Sequence, residues 1–203
     1  MRRAVLASGN PGKLRELQAL LAPLALELLP QGVLGIEAAP ETGSTFEENA
    51  LLKARHAAQR AQLPALADDS GIEVSALGGR PGVWSARYAG EGASDAQNLE
   101  LLLLELAGVA PQQRAARYRC VIVFLHDAAD AAPLIARGEW RGHIATTPRG
   151  SGGFGYDPVF VPEGARCTAA QLPAAQKNRI SHRARALQAL VAMLDARGYI
   201  RPP

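Results

Sequence analysis

Three lysines stand among the 22 basic residues of this chain, each inside a cluster that could handle a phosphate or a polar ring. Lys13 closes the segment Ser8-Gly9-Asn10-Pro11-Gly12-Lys13. Lys53 follows the acidic stretch from Glu41 to Asn49, and Lys177 precedes Asn178-Arg179-Ile180-Ser181-His182-Arg183. Arginine supplies the positive charge everywhere else. The two side chains are not interchangeable: Arg is a flat, forked donor, whereas Lys is a compact, strongly hydrated point charge on a flexible stem. A point charge suits a triphosphate oxygen or a purine carbonyl at close quarters.

Ser8 to Lys13 falls between an apolar run and a helical pattern. Backbone N–H groups and the positive end of a helix dipole make such a loop hospitable to an anion. Gly9 and Gly12 would let phosphate approach the backbone. The spacing is not that of a Walker A loop, which needs Ser or Thr after its Gly-Lys pair. A plain turn accounts for this segment alone equally well.

Asp68-Asp69-Ser70-Gly71 places two carboxylates at the end of a short apolar strand. Neighbouring strand residues point to opposite faces, so only one of the two serves a given site. Hard oxygen donors suit Mg2+, which binds through one or two carboxylates plus substrate phosphates. Glu41 is the best second carboxylate, since Glu48 is needed as a cap; whether Glu41 or Asp68 completes the site stays open. In Gly152-Gly153-Phe154-Gly155-Tyr156-Asp157, glycines flank Phe154 and leave a ring open to stacking, which contributes about 1–3 kcal/mol per base. Asp157 can accept from base N–H groups. Lys177, His182 and Arg183 offer donors before and within the first turn of a terminal helix. Cations there oppose the helix dipole, a local inconsistency of the kind that marks function.

These groups need a scaffold, and the patterning supplies one. Residues 2–7 read as a strand and 12–22 as a helix with Leu14, Leu17, Leu20 and Leu21 on one face. Residues 25–36 read as one or two short strands. Thr45 with Glu48, and Ser94 with Gln97, form capping boxes for helices over 46–62 and 95–107. Ala65–Ala67 and Ile72–Leu77 read as two separate strands. Tyr118–Leu125 and Ile135–Ile144 read as a hairpin, and Ser181 opens a helix to about Ala196. Helices interleaved with adjacent strands imply an α/β fold with a mixed sheet.

The chain has 203 residues, 48% hydrophobic and 20% charged, an ordinary globular composition. With no run of 18 apolar residues there is no expected membrane span. The apolar stretch after the basic start is too short for a signal peptide, so the cytoplasm is expected. Cys120 and Cys167 have no metal-ligand spacing. Aromatics make up 5% and the net charge is +3, with arginines scattered rather than clustered, which argues against a nucleic-acid binder stacking on Phe154, Tyr156 and Trp84.

Taken in order, Ser-Gly-Asn-x-x-Lys at Ser8, Thr-Phe-x-Glu-Asn-Ala at Thr45, Asp-Asp-Ser-Gly at Asp68, Phe-Gly-Tyr-Asp at Phe154 and Ser-His-Arg at Ser181 resemble the inosine triphosphate pyrophosphatase family. The resemblance spans Ala7 to Arg185. It implies one domain over 1–203, with an elongated mixed β-sheet flanked by helices and two lobes around a central cleft. It implies Mg2+-dependent hydrolysis of dITP, ITP and XTP to the monophosphate and pyrophosphate by a cytoplasmic homodimer. Residue by residue, it implies substrate binding by Ser8, Gly9, Asn10, Pro11, Gly12 and Lys13, by Lys53, Ser70 and Arg87, by Phe154, Gly155, Tyr156 and Asp157, and by Lys177, His182 and Arg183. Asp69 becomes the general base and a metal ligand, with Glu41 the second ligand. The rival reading is a purine-nucleotide-binding module without turnover, in which Asp68 and Asp69 are structural.

Overall fold

The computed structural model describes residues 2–21 and 26–199. Six strands form one mixed sheet in the order β2-β1-β3-β4-β5-β6. β1 (Arg2–Ala7) pairs in parallel with β2 (Leu26–Pro30) on one side and β3 (Ala65–Val74) on the other. In register, Val5 faces Ala65 and Ala7 faces Ala67. Ala4 to Ala7 are all buried, the continuous apolar run expected of a parallel strand covered on both faces. β4 (Ala115–Leu125) and β5 (Leu134–Ile144) are neighbours, and β5 pairs antiparallel with β6 (Phe160–Pro162).

Capping chemistry sets the helices. α1 (Pro11–Leu21) opens with proline at its first position, where no backbone donor is needed. α2 (Phe46–Ala61) has the Thr45/Glu48 box, and α3 (Asp95–Glu105) has the Ser94/Gln97 box, each with both reciprocal hydrogen bonds. α4 is Ala174–Ile180 and α5 is His182–Ala196. No helix among the described residues is long and apolar enough to cross a membrane.

The chain divides into two compact units. One comprises 1–69, 120–138 and 183–203; the other comprises 70–119 and 139–182. The first unit's core joins Leu6 and Leu66 of the sheet to Leu17 of α1 and to Leu187, Leu190 and Leu194 of α5. The three α5 positions recur at helical spacing and are each at most 2% exposed. Burying each contributes roughly 1.5–3 kcal/mol, and Leu190→Ala would cost about 2–5 kcal/mol through the cavity left behind. The second unit's core gathers Ile72, Leu102, Tyr118, Trp140, Ile144 and Phe160.

Two expectations need correction. The break at Asp68–Gly71 does not occur: β3 runs unbroken from Ala65 to Val74, and Ser75–Leu77 form a single 3-10 turn. Lysines of the first unit neutralise the two aspartates, so the strand can carry them buried. Of the one or two strands read over 25–36, one forms as β2, and the chain then turns as a 3-10 helix over Gln31–Leu34, ending on Gly35 with φ 67°. Residues 22–25 lie outside the described residues. The second correction is α4, which sequence patterning leaves unassigned. It places Lys177 and Arg179 in a last helical turn, where cations complement the dipole, so for Lys177 the supposed conflict with a helix N-terminus disappears. The terminal helix itself starts at His182, with Ser181 joining it to α4.

Candidate active site

All three lysines contact carboxylates, and all three side chains are at most 15% exposed. Two lie in the first unit. α2 carries Lys53 into a cluster with Glu41 and Asp69: its ammonium is 2.8 Å from Glu41 Oε1 and 2.9 Å from Asp69 Oδ1. Asn49, one turn earlier on the same helix face, donates from Nδ2 to Asp69 Oδ2 at 3.4 Å. Asn49 is fully buried and also accepts from the backbone N–H of Gly43 at 2.8 Å. That bond folds the loop holding Glu41 back onto α2. A Cβ at Gly43 would meet Glu48 Cβ at 2.7 Å and Asn49 Oδ1 at 2.8 Å, so this close approach requires glycine. Glu48 is occupied as a cap.

On the other side of β3, Asp68 lies 3.1 Å from Lys13 Nζ and 3.4 Å from Arg183 Nη2. Arg183 is 1% exposed and also pairs with Glu16 of α1. The two aspartates thus serve opposite faces, as strand alternation requires, and their electrostatics diverge. Burial alone would raise the Asp68 carboxyl, but Lys13, Arg183 and Lys53 overcome it and hold the group well below the usual carboxylate range. Burial raises the Asp69 carboxyl against the pull of Lys53 and Lys13. For Lys53, burial favours the neutral amine, but Asp69, Asp68 and Glu41 outweigh it and raise the pKa. Neighbouring carboxyls driven apart in this way are the arrangement from which acid and base roles are made.

The Ser8–Lys13 segment takes a form the sequence leaves open. Asn10 Oδ1 accepts from the N–H of Gly12 at 2.9 Å and of Lys13 at 3.0 Å, capping α1. Ser8 Oγ accepts from Asn10 N at 3.3 Å. The helix start therefore has an internal acceptor for two of its backbone donors. Gly9 is open: beyond its chain neighbours, a Cβ there would meet no atom within 4 Å. Pro11 supplies the first helical residue.

The second unit holds the aromatic and donor cluster. Asp157, 2% exposed, accepts from Lys177 Nζ at 2.5 Å and from the Phe154 N–H at 3.0 Å, both through Oδ2. Lys177 also lies 4.8 Å from the centroid of the half-buried Phe154 ring, a cation–π contact. The glycines here do more than clear space around the ring. A Cβ at Gly153, whose φ is 74°, would sit 2.0 Å from Asp157 Oδ2. Gly155 N donates to Asp95 Oδ2 at 2.7 Å. Tyr156 is buried and donates to the Ser85 carbonyl at 2.8 Å, which ties this loop to the 3-10 segment Gly82–Arg87. Arg87 stacks on Trp84 at 4.6 Å and pairs with Glu91 at 3.4 Å. Ser70 is half-buried on β3.

The structure brings Glu41, Lys53 and Asp69 together, and separately Phe154, Asp157 and Lys177. It groups Arg183 with Asp68 and Glu16 in the first unit. Sequence reasoning missed Asn49, Glu16 and Tyr118. The four-residue spacing of Asn49 and Lys53 on a helix could have exposed the first.

The donor chemistry suits Mg2+. Glu41 and Asp69 bring two carboxylate oxygens to one ammonium, so both face the same point. No group of three or more His, Cys, Asp or Glu that could hold a metal occurs among the described residues. A hard cation here would take its remaining oxygens from substrate phosphates and water, as Mg2+ commonly does.

The first unit of this α/β fold thus holds lysine–carboxylate clusters, and the second holds a glycine-flanked aromatic ring beside a lysine–carboxylate pair. The Ham1 family model matches residues 4–193, and the chain belongs to that family. It is 57% identical over 195 residues to a dITP/XTP pyrophosphatase of Methylococcus capsulatus, covering 96% of this chain and 97% of the relative. It is 58% identical over 197 residues to a dITP/XTP pyrophosphatase of Ralstonia nicotianae, covering 96% and 97%. Among solved structures, a HAM1 protein from Coxiella burnetii superposes with a TM-score of 0.89 at 47% identity, covering 97% of this chain and all of that one.

Proposed function

We propose that this chain hydrolyses non-canonical purine nucleoside triphosphates, dITP, ITP and XTP, to the monophosphate and pyrophosphate. The observation that carries the reading is the Glu41–Lys53–Asp69 cluster, in a chain 57% identical to a dITP/XTP pyrophosphatase. The whole chain, 1–203, works as one catalytic domain, as a homodimer in the cytoplasm.

Lys13 and Lys53 neutralise the triphosphate, assisted by Ser8, Gly9, Asn10, Pro11 and Gly12 at the start of α1, and by Ser70 and Arg87. Glu41 and Asp69 would hold Mg2+, which supplies further charge neutralisation at the phosphates. Asp69 orients a water and takes its proton as the oxygen bonds to the α-phosphorus. The bond from that phosphorus to its bridging oxygen breaks, and pyrophosphate leaves. Positioning and charge carry most of such a reaction.

Phe154 stacks on the base, with Gly155 and Tyr156 shaping the loop beneath it. Lys177 and His182 donate toward the carbonyl at C6 of hypoxanthine or xanthine, and Asp157 accepts from ring N–H groups. Arg183, held by Asp68 and Glu16, fixes the start of α5 that carries His182. Adenine presents an amine at C6 and leaves these donors unmatched, which a buried site rejects strongly. The test is product analysis by 31P NMR with Mg2+ and each of dITP, ITP, XTP and ATP. Pyrophosphate from the first three supports the reading. Orthophosphate as the main product, or binding of all without turnover, refutes it in favour of another hydrolase or a binding module.

A further inference from the structure

We infer that Tyr118 is a positioning residue for purine discrimination, acting by fixing the plane of the His182 imidazole and by tying that ring to Asp157. The inference rests on the proposed function and adds to it a residue that no sequence motif marks.

Tyr118 lies on β4 and is 7% exposed. Its ring is parallel to that of His182, with centroids 4.6 Å apart and planes 6° apart. Its hydroxyl donates to Asp157 Oδ1 at 3.4 Å, while Oδ2 of the same carboxylate takes Lys177 and the Phe154 N–H. One side chain therefore touches two of the three groups assigned to the base edge, His182 and Asp157. The tyrosine is itself held: Phe160 meets it edge-on at 4.8 Å and 66°, and Trp140 lies at 6.5 Å and 23°. Trp140 is also within 6.5 Å of His182, at 20°.

The consequence is directional. An imidazole lying flat on another ring cannot turn about its Cβ–Cγ bond without losing the stack. Its ring nitrogens then keep fixed directions. Hydrogen bonds weaken steeply as the donor angle falls below about 120°, so a donor of fixed direction separates a carbonyl from an amine better than a mobile one. A swinging imidazole could turn away from adenine's amine and leave nothing unmatched. A clamped one cannot, and the mismatch persists. The hydroxyl's long hydrogen bond is the weaker half of the device, and the ring face is the stronger.

Two variants separate these halves. Tyr118→Phe keeps the ring and loses the hydroxyl. Tyr118→Leu keeps an apolar side chain in the core and loses the face. The readout is the ratio of kcat/KM for ITP to that for ATP. Tyr118→Leu should lower the ratio roughly three- to tenfold, the range an aromatic pair carries, and Tyr118→Phe should leave it within about threefold of wild type. Wild-type discrimination surviving unchanged in a folded Tyr118→Leu overturns the inference and makes Tyr118 a packing residue only. A wild type that shows no preference for ITP overturns the proposed function, and this inference with it. NMR decides the geometry even if Tyr118→Leu fails to fold. The His182 ring protons, assigned with His182→Gln, should lie upfield of those of a solvated imidazole through the tyrosine ring current. Signals at the positions of a solvated imidazole would refute the stack.

Discussion

Asp68 and Asp69 are adjacent, yet replacing each by asparagine should separate stability from turnover. The Asp68 side chain is fully buried, 3.1 Å from Lys13 Nζ and 3.4 Å from Arg183 Nη2. Asp68→Asn removes the anion from between two cations. Deleting one member of a buried pair costs about 3–5 kcal/mol, and the isosteric amide keeps this near the lower end. For a chain of this size each kcal/mol moves the melting temperature by about 2–4 °C, so the loss should be roughly 6–12 °C. Asp69 differs, because burial already works against its charge and Lys53 keeps Glu41 as a partner. Asp69→Asn should change stability by about 1 kcal/mol or less, the scale of an ordinary point substitution. Its turnover should nevertheless fall about 10²–10⁴-fold, as expected on losing a general base. Thermal melts and pyrophosphate release on both variants under one buffer condition give the comparison. An Asp68→Asn melt within about 2 °C of wild type, with Asp69→Asn the less stable protein, would refute the reasoning.

Three further outcomes follow from the site. Gly153→Ala should lower kcat/KM for ITP by at least about tenfold while leaving the fold intact, since a Cβ there enters Asp157 Oδ2 at 2.0 Å on a backbone of φ 74°; wild-type kinetics would mean the Lys177–Asp157 pair is dispensable. Lys53→Arg should depress kcat/KM despite conserving charge, because a planar fork cannot reproduce a point charge 2.8 Å and 2.9 Å from two carboxylates; unchanged steady-state kinetics would show that shape is irrelevant there. Phe154→Ala should weaken all purine triphosphates alike, by about 1–3 kcal/mol, whereas Lys177→Ala should narrow the gap between ITP and ATP; a larger change of ratio in the phenylalanine variant would reverse those roles.

Much of the scaffold was legible because its signals are local. Both capping boxes are set by residues three apart, and the structure shows their reciprocal bonds at Thr45–Glu48 and Ser94–Gln97. The lysines stood out by type, three in an arginine-rich chain, and the structure places each against a carboxylate. What failed to show depends on distant partners. Asp-Asp-Ser-Gly reads as a turn until Lys13, Lys53 and Arg183 arrive to neutralise it, and only then can β3 run through it. α4 is a seven-residue helix that starts after Pro173 with no side-chain cap, so it lacks a start signal. Arg183 sits beside His182 in sequence, but its guanidinium joins Glu16, 167 residues away. Tyr118 carries only the alternation of a strand, which marks it as core and gives no sign of its stack on His182.

Hydrolysis of non-canonical purine triphosphates is decided by a competition assay in which dITP and dATP are mixed at equal concentration with Mg2+ and consumption of each is followed in one vessel. dITP should be converted to dIMP and pyrophosphate while dATP persists, the ratio of the two rates giving the ratio of kcat/KM directly. Parallel loss of both nucleotides, or loss of dITP with release of orthophosphate, would contradict it.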